Sequence, residues 1–140
     1  MALMFPRLAH NFVKNGYFPT DEPTLERALS ALAPAIGPMC ILDPCAGEGV
    51  AIAEAAHALG RAQVQAFAVE YDAERARHAR TLVDHCLHGD LMDVLISRQA
   101  FGLLWLNPPY GDLSKDVNGN LGYQGQGRAR LEKLFYQRSL

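Results

Sequence analysis

Short apolar runs alternate with amphipathic segments along the first two thirds of the chain. Three runs, Met39–Leu42, Val64–Val69 and Phe101–Leu106, carry no charged residue, which is typical of strands buried on both faces of a parallel sheet. A shorter strand is predicted near Cys86 and Leu87. Strands that alternate with helical segments favour a parallel sheet with right-handed crossovers.

Helical spacing of apolar residues separates these runs. Helices are predicted over about Pro23–Ala33 and over Glu48–Leu59, with Gly60 as the C-terminal stop of the second. A brief turn or helix is expected at Leu91–Ile96, and Asp72 is the expected N-cap of a further helix. The apolar positions of that capped helix are predicted to share one face: Ala76, Ala79, Leu82 and Val83.

The predicted fold class is α/β, a Rossmann-like parallel sheet with helices on both faces, truncated after about four strands. We expect residues 1–140 to form a single, partial domain. Its predicted segments are a helical lead-in (1–37), a core (38–110), a flexible glycine-rich loop (111–127) and a terminal helix (128–140).

Composition narrows the class of protein. A hydrophobic fraction of 49% with 20% charged residues suits a soluble globular core. We find no candidate membrane span and no secretory signal, so a cytoplasmic protein that does not bind membranes is expected. The three cysteines form no C-x-x-C pair, which disfavours a disulfide framework or a zinc ribbon. The net charge of −2 argues against DNA binding by bulk electrostatics alone.

The segment Asp43–Gly49 lies where a strand should end and a helix begin. Glycines at such a turn let the backbone approach a ligand closely, at the edge where open α/β sheets bind their ligands. The simpler interpretation is a tight strand-to-helix turn. A glycine pair after a strand also occurs in dinucleotide enzymes, but the third glycine of G-x-G-x-x-G is missing here.

Glu70 follows the second predicted strand, 27 residues after Asp43. A carboxylate at this position can accept hydrogen bonds from both hydroxyls of a ribose, and Tyr71 could pack on an adenine ring. An isolated glutamate is more often a surface acid that caps the next helix. Its place at a strand end favours the binding role.

The segment Asn107-Pro108-Pro109-Tyr110 directly follows the apolar run that ends at Leu106. Two prolines restrict the backbone, and the carbonyl of Pro108 can join the Asn107 side-chain oxygen in holding a substrate NH2 group. Tyr110 offers a flat face for a planar substrate. A plain proline turn would explain the prolines, but neither the asparagine before them nor the aromatic residue after them.

Together these segments resemble the successive motifs of class I S-adenosylmethionine-dependent amino-methyltransferases, most of all the DNA adenine methyltransferases. The similarity rests on Asp43–Gly49, Glu70, Asp90 after the third strand, and the N-P-P-Y segment Asn107–Tyr110. Gly16–Thr20 also resembles the upstream cofactor-contacting motif of the subgroup in which that motif leads the chain. The resemblance covers about residues 15–110.

The resemblance implies methyl transfer from S-adenosylmethionine to an amino nitrogen, with the 6-amino group of adenine in DNA as the leading substrate. In that family the glycine turn contacts the methionine moiety, the acid corresponding to Glu70 holds the ribose, and the acid corresponding to Asp90 binds the adenine amino group. The implied catalytic residues are Asn107, Pro108, Pro109 and Tyr110. The implied cofactor-binding residues are Phe18, Thr20, Asp43, Pro44, Cys45, Ala46, Gly47, Gly49, Glu70, Tyr71, Asp90, Leu91 and Asn107.

Alternative functions remain at this point. A planar NH2 group is also present in glutamine side chains and in ribosomal RNA, and a non-catalytic cofactor-binding or interaction module would fit the missing strands five to seven of the family's sheet. A nicotinamide-dependent oxidoreductase is a more distant alternative. An uncovered fourth strand predicts self-association or a partner subunit that completes the sheet. No metal site is expected, since His85, Cys86 and His88 suggest no fourth ligand.

Overall fold

A computed structural model of the chain describes residues 19–108. Four parallel strands form one sheet in the order β3-β2-β1-β4. The strands are β1 (Met39–Asp43), β2 (Val64–Glu70), β3 (His85–His88) and β4 (Leu103–Leu104). The predicted α/β class and the parallel, Rossmann-like sheet are therefore confirmed. The predicted loop 111–127 and helix 128–140 lie outside the described residues.

Residues 19–108 also contain three α-helices and one short 3-10 helix, of which the first precedes β1 and the others lie between consecutive strands. They are α1 (Glu22–Leu29), α2 (Val50–Leu59), α3 (Ala73–Ala79) and a 3-10 helix at Leu91–Asp93. The described strands and helices belong to one compact unit, Pro19–Asn107. Within residues 19–108, every helix is too short or too polar to cross a membrane.

The first helix ends earlier than the sequence predicts. Asp21 caps α1, where the backbone N–H of Thr24 donates to its Oδ2 over 3.2 Å. The predicted extension to Ala33 is wrong, because Ser30 donates its hydroxyl to the Arg27 carbonyl and the chain then tightens into a turn. A serine hydroxyl competes in this way for backbone carbonyls at a helix end.

The third helix is also shorter than its apolar pattern. Asp72 caps α3 as predicted, accepting the backbone N–H of Arg75 at 2.9 Å. The helix stops at Ala79, and tighter turns carry the chain on to β3. Val83 then enters the core while Leu82 remains 37% exposed, so the predicted single apolar face is wrong.

Strand β4 has two residues in the sheet ladder, not the six of the predicted run Phe101–Leu106. Single hydrogen bonds extend the pairing, from the N–H of Gly102 to the Cys40 carbonyl and from the N–H of Trp105 to the Leu42 carbonyl. A run of apolar residues indicates that a segment is buried, whereas the length of a strand depends on its backbone hydrogen bonds to the neighbouring strand. The prediction therefore located the strand but overestimated its length.

The core lies between α2 and one face of the sheet. Ile52 of α2 and Ile41 of β1 are fully buried there. Since β1-α2-β2 and β2-α3-β3 step in the same direction across the sheet, right-handed crossovers set α2 and α3 on the same face. Small residues allow this close packing: Ala55, Ala56, Ala66 and Ala68 are all buried.

Candidate functional site at the carboxyl edge of the sheet

The parallel register brings the predicted site segments to one edge of the sheet. β1 pairs with β2 so that Asp43 lies beside Ala68. Glu70 ends β2, and the backbone N–H of Ala46 in the turn after β1 donates to the Val69 carbonyl at 3.0 Å. On the other side of β1, Leu42 pairs with Leu104 of β4, and Asn107 follows three residues later. In open α/β sheets, the edge at the carboxyl ends of the strands is where ligands bind.

The turn after β1 depends on two glycines. Gly47 and Gly49 have φ values of +58° and +84°, a left-handed conformation that side chains disfavour. A Cβ atom at Gly49 would also lie 3.0 Å from the Cα and Cβ of Ala79 in α3. Helix α2 therefore begins at Val50, and the predicted start at Glu48 is wrong because the glycine turn occupies those positions.

Glu70 connects this turn to the start of α3. Its side chain is buried, and its Oε2 accepts the backbone N–H of Gly47 over 2.7 Å. Its Oε1 accepts the backbone N–H of Asp72 at 2.9 Å. The Arg75 guanidinium donates to the same oxygen from Nε at 3.1 Å and from Nη2 at 2.9 Å. The carboxylate that the sequence predicts as a ribose ligand therefore also organises the surrounding backbone.

Sequence reasoning misses Arg75. In the sequence it is one of several basic residues on an amphipathic helix, together with Arg77 and Arg80. In the structure Arg77 pairs with exposed Glu74, and Arg80 donates to the Cys86 carbonyl. No pattern in a single sequence distinguishes the arginine that reaches a buried carboxylate from its neighbours on the helix.

Asp43 and Cys45 lie beside Glu70. The pKa of Asp43 is raised to about 7, mainly by burial and also by the negative charge of Glu70. The Cys45 backbone N–H, which donates to Asp43 Oδ1 at 3.0 Å, opposes this rise. Burial also raises the pKa of the Cys45 thiol above its ordinary value, with the two carboxylates adding to the effect. Cys45 is thus a thiol in this environment, and not an activated nucleophile.

Asn107 contacts a residue far away in the chain. Its side-chain Nδ2 donates to the hydroxyl oxygen of Thr20 over 2.9 Å, across 87 positions of sequence. The Asn107 backbone N–H also partly offsets the rise in the pKa of the Cys45 thiol. Thr20, predicted as a cofactor contact, is therefore brought to the predicted acceptor residue. Phe18, Pro109 and Tyr110 lie outside the described residues, and Pro108 is the last residue described.

Three further predicted cofactor residues follow β2 and β3: Tyr71, Asp90 and Leu91. Tyr71 is 73% exposed, and its carbonyl lies 3.1 Å from Nε2 of His88. Asp90 caps the 3-10 helix by accepting the Met92 backbone N–H at 2.9 Å. Leu91 is buried, so its side chain faces the interior.

The side chains of His85, Cys86 and His88 in β3 do not form a metal cluster. His85 stacks on Phe67, with 4.6 Å between the ring centroids. Between Pro19 and Pro108, no three His, Cys, Asp or Glu side chains lie close enough to hold a metal ion. The chemistry of the described edge is therefore that of carboxylates, an amide and backbone N–H groups.

Solved structures with a similar fold include several methyltransferases. The methyltransferase subunit of a type I restriction-modification system from Streptococcus thermophilus aligns with a TM-score of 0.61 at 17% identity, over 87% of this chain and 30% of that one. A TehB-like SAM-dependent methyltransferase from Corynebacterium glutamicum aligns with a TM-score of 0.43 at 20% identity, over 71% of this chain and 50% of that one. A complex between the Haloferax volcanii Trm112 methyltransferase activator and the putative methyltransferase aligns with a TM-score of 0.47 at 21% identity, over 57% of this chain and 36% of that one.

The chain thus spans half or less of the length of these solved proteins. No curated protein sequence matches it. The family model described as "Uncharacterised methyltransferase family (DUF6094)" matches residues 2–140. This match covers nearly the whole chain, and the parallel sheet agrees with the fold of the Streptococcus thermophilus methyltransferase. The chain therefore belongs to the methyltransferase family DUF6094.

Proposed function

We propose that this chain binds S-adenosylmethionine at the carboxyl edge of its sheet and supports methyl transfer to an amino nitrogen, with the 6-amino group of adenine in DNA as the leading acceptor. One observation carries the proposal. The glycine turn, Glu70 and Asn107 meet at the ends of three neighbouring strands, and Glu70 and the turn are joined by a hydrogen bond. Cofactor and acceptor residues would then lie side by side.

The residues at this edge suit a cofactor that carries positive charge. S-adenosylmethionine supplies a methyl group on a sulfonium sulfur and also carries an amino group. Glu70 provides a buried carboxylate beside the glycine turn, and Asp43 provides a second buried carboxyl group whose pKa is about 7. Glu70 Oε2 would accept from a ribose hydroxyl in addition to the Gly47 N–H, since a carboxylate oxygen has two lone pairs. Tyr71, largely exposed and adjacent, offers a flat surface for the adenine ring.

The acceptor amine would bind at Asn107. An aromatic amine is a poor nucleophile because its lone pair is delocalised into the ring. Hydrogen bonds from its two N–H groups to the Asn107 Oδ1 and the Pro108 carbonyl favour a tetrahedral nitrogen, which frees that lone pair for attack on the methyl carbon. The carbon–sulfur bond of the sulfonium would break as the carbon–nitrogen bond forms, its electron pair staying on the sulfur, and the amine proton would then leave to solvent or to a neighbouring acceptor. These contacts strengthen as charge develops, so they favour the transition state over the bound substrate.

Adenine in duplex DNA would have to leave the base stack to reach this edge. Tyr110 is the residue of the N-P-P-Y segment that would restore part of the lost stacking energy. The fold is shared with the methyltransferase subunit of a type I restriction-modification system, which supports DNA as the acceptor to test first. The net charge of −2 implies that further basic surface for DNA would come from a partner.

A partner subunit or a second copy of the chain is part of the proposal. β4 is an outer strand of the described sheet, and two of its residues are paired in the ladder with β1. A strand edge presents N–H and C=O groups that recruit another chain. Light scattering and amide hydrogen exchange of the purified protein test this: a stable, soluble monomer at micromolar concentration with full amide protection in Phe101–Leu106 would contradict it.

The central experiment combines calorimetric titration of the chain with S-adenosylmethionine and a methyl-incorporation assay. The acceptors are adenine-containing duplex DNA, ribosomal RNA and glutamine-bearing peptides. We expect binding of the cofactor and incorporation into DNA. Methyl incorporation into RNA or peptide alone would show that DNA is not the acceptor. Cofactor binding without any methyl incorporation would favour a cofactor-binding module. Absence of binding would refute the whole proposal.

A further inference from the structure

The hydrogen bond between Asn107 and Thr20 assigns a role to the upstream segment that its sequence motif does not. The motif predicts that Thr20 contacts the cofactor, but its hydroxyl oxygen lies 2.9 Å from Nδ2 of Asn107. Both residues are partly buried. Thr20, the last residue of this motif, therefore reaches the predicted acceptor residue directly.

The two ends of an asparagine amide have opposite chemistry. Nδ2 is a donor and Oδ1 is an acceptor, so a half-turn about the last side-chain bond exchanges one for the other. An asparagine that must accept a hydrogen bond from a substrate amine needs Oδ1 on the substrate side. In the structure Nδ2 is engaged by the Thr20 hydroxyl, which directs the acceptor end of the amide away from Thr20.

Both partners of this hydrogen bond are held by the fold. Thr20 directly precedes Asp21, the N-cap of α1, and α1 contacts α2 of the core. Asn107 follows β4, and two residues before it the Trp105 backbone N–H donates to the Leu42 carbonyl over 2.8 Å. A hydrogen bond between two anchored groups orients a side chain at little further entropic cost.

We propose that Thr20 is a positioning residue that orients the Asn107 amide, so that Oδ1 faces the acceptor amine. This inference rests on the proposed amino-methyl transfer, because it assigns Asn107 the acceptor-binding role. Thr20 then acts on the chemical step through Asn107 and makes no required contact with the cofactor.

Two substitutions of Thr20 separate these roles. Thr20→Val keeps the shape of the side chain and removes the hydroxyl, whereas Thr20→Ser keeps the hydroxyl. We expect Thr20→Val to lower kcat for methyl transfer about tenfold, the effect of one lost hydrogen bond, with little change in S-adenosylmethionine affinity. Thr20→Ser should restore most of the rate. Thr81→Val is the control, since its hydroxyl donates to the His78 carbonyl at the protein surface.

Two results would overturn the inference. A Thr20→Val variant with wild-type kcat would show that the hydroxyl does not act on the chemistry. A variant with weaker cofactor affinity and unchanged kcat would show that Thr20 is a cofactor contact. Thermal melting by circular dichroism confirms that each variant is folded.

A second measurement does not depend on activity. In protein labelled with ¹⁵N-asparagine, the side-chain NH2 signals of Asn107 are assigned by their loss in Asn107→Ala. Thr20→Val should move the hydrogen-bonded proton upfield, and Thr20→Ser should return it. Unchanged signals would contradict the hydrogen bond itself. If the wild type transfers methyl groups to no acceptor, the proposed function has failed, and these signals still decide whether Thr20 orients Asn107.

Discussion

The backbone N–H of Gly47 donates to Glu70 Oε2 over 2.7 Å, and this bond connects the turn after β1 to the end of β2. The two residues are 23 positions apart. Because the same carboxylate also binds Arg75, a perturbation of helix α3 can reach the glycine turn through a single side chain. Glu70 therefore has a structural role as well as the proposed role in binding the cofactor.

Glu70→Gln should weaken S-adenosylmethionine binding by about 1–3 kcal/mol, the free energy of a charge-assisted hydrogen bond. Glutamine retains the size of the side chain but loses the charge. Calorimetric titration measures the change. Glu74→Gln is the matched control, since Glu74 is exposed on α3 and pairs with Arg77 at the surface. Equal affinities for wild type and Glu70→Gln would refute the ribose-binding role.

Arg75→Met should lower the free energy of unfolding by about 3–5 kcal/mol, because it leaves the Glu70 carboxylate buried without its cation. The side chains of Arg75 and Glu70 are only 15% and 5% exposed. Arg77→Met removes an arginine from a pair whose side chains are 75% and 82% exposed, and should change stability by less than about 1 kcal/mol. Urea denaturation compares the two, and similar losses would show that the burial of the pair has no energetic consequence.

Gly49→Ala should destabilise the fold more than alanine at two other glycines, Gly60 and Gly37. Gly49 combines a φ of +84° with a Cβ position 3.0 Å from Ala79. Gly60 has a φ of +106° but open space, and Gly37 has open space without a positive φ. We expect a loss of about 1–2 kcal/mol at Gly60 from the backbone alone, more than this at Gly49, and almost none at Gly37. Equal losses at Gly49 and Gly60 in chemical denaturation would show that the close approach of Ala79 adds no strain.

Asp43→Asn should alter how stability depends on pH. The pKa of Asp43 in the folded chain is about 7, above its ordinary value of 3.8, because the side chain is buried. Between these values the folded state holds a proton that the unfolded state has lost. Stability should therefore fall as the pH rises from about 4 to 7, by up to about 1.4 kcal/mol per pH unit, and then level off.

Chemical denaturation at each pH gives the free energy of unfolding of wild type and of Asp43→Asn, and the difference between the two isolates the titration of Asp43. Groups such as Asp84, whose pKa is lowered by its hydrogen bond to Arg61, titrate in both proteins and cancel. A difference that is constant from about pH 4 to 8 would show that Asp43 titrates in its ordinary range.

Asn107→Ala and Tyr110→Ala should separate binding from chemistry. Both residues are proposed to face the acceptor amine, so cofactor affinity should change little while methyl incorporation falls about 100-fold or more. The measurements are calorimetry with S-adenosylmethionine and incorporation into adenine-containing DNA. A parallel loss of cofactor affinity in both variants would place these residues in the cofactor site instead.

Local features were predictable from the sequence because they depend on residues close together in the chain. Asp72 caps α3 through the backbone N–H only three residues later, and Gly60 ends α2 with a φ of +106°. The parallel order of strands also followed from apolar runs separated by helices. The placement of Asp43, Glu70 and Asn107 at strand ends is a consequence of the same pattern.

The type of sheet, the glycine turn and the edge of the candidate site could all be predicted from the sequence, since they depend on chain direction and hydrophobic periodicity. The pairs of side chains that meet at this edge became visible in the folded chain alone. Arg75 reaches Glu70, and Thr20 reaches Asn107 across 87 residues. Such contacts depend on the register between strands and on where each helix ends, and these are set by packing of the whole core, which no local pattern encodes.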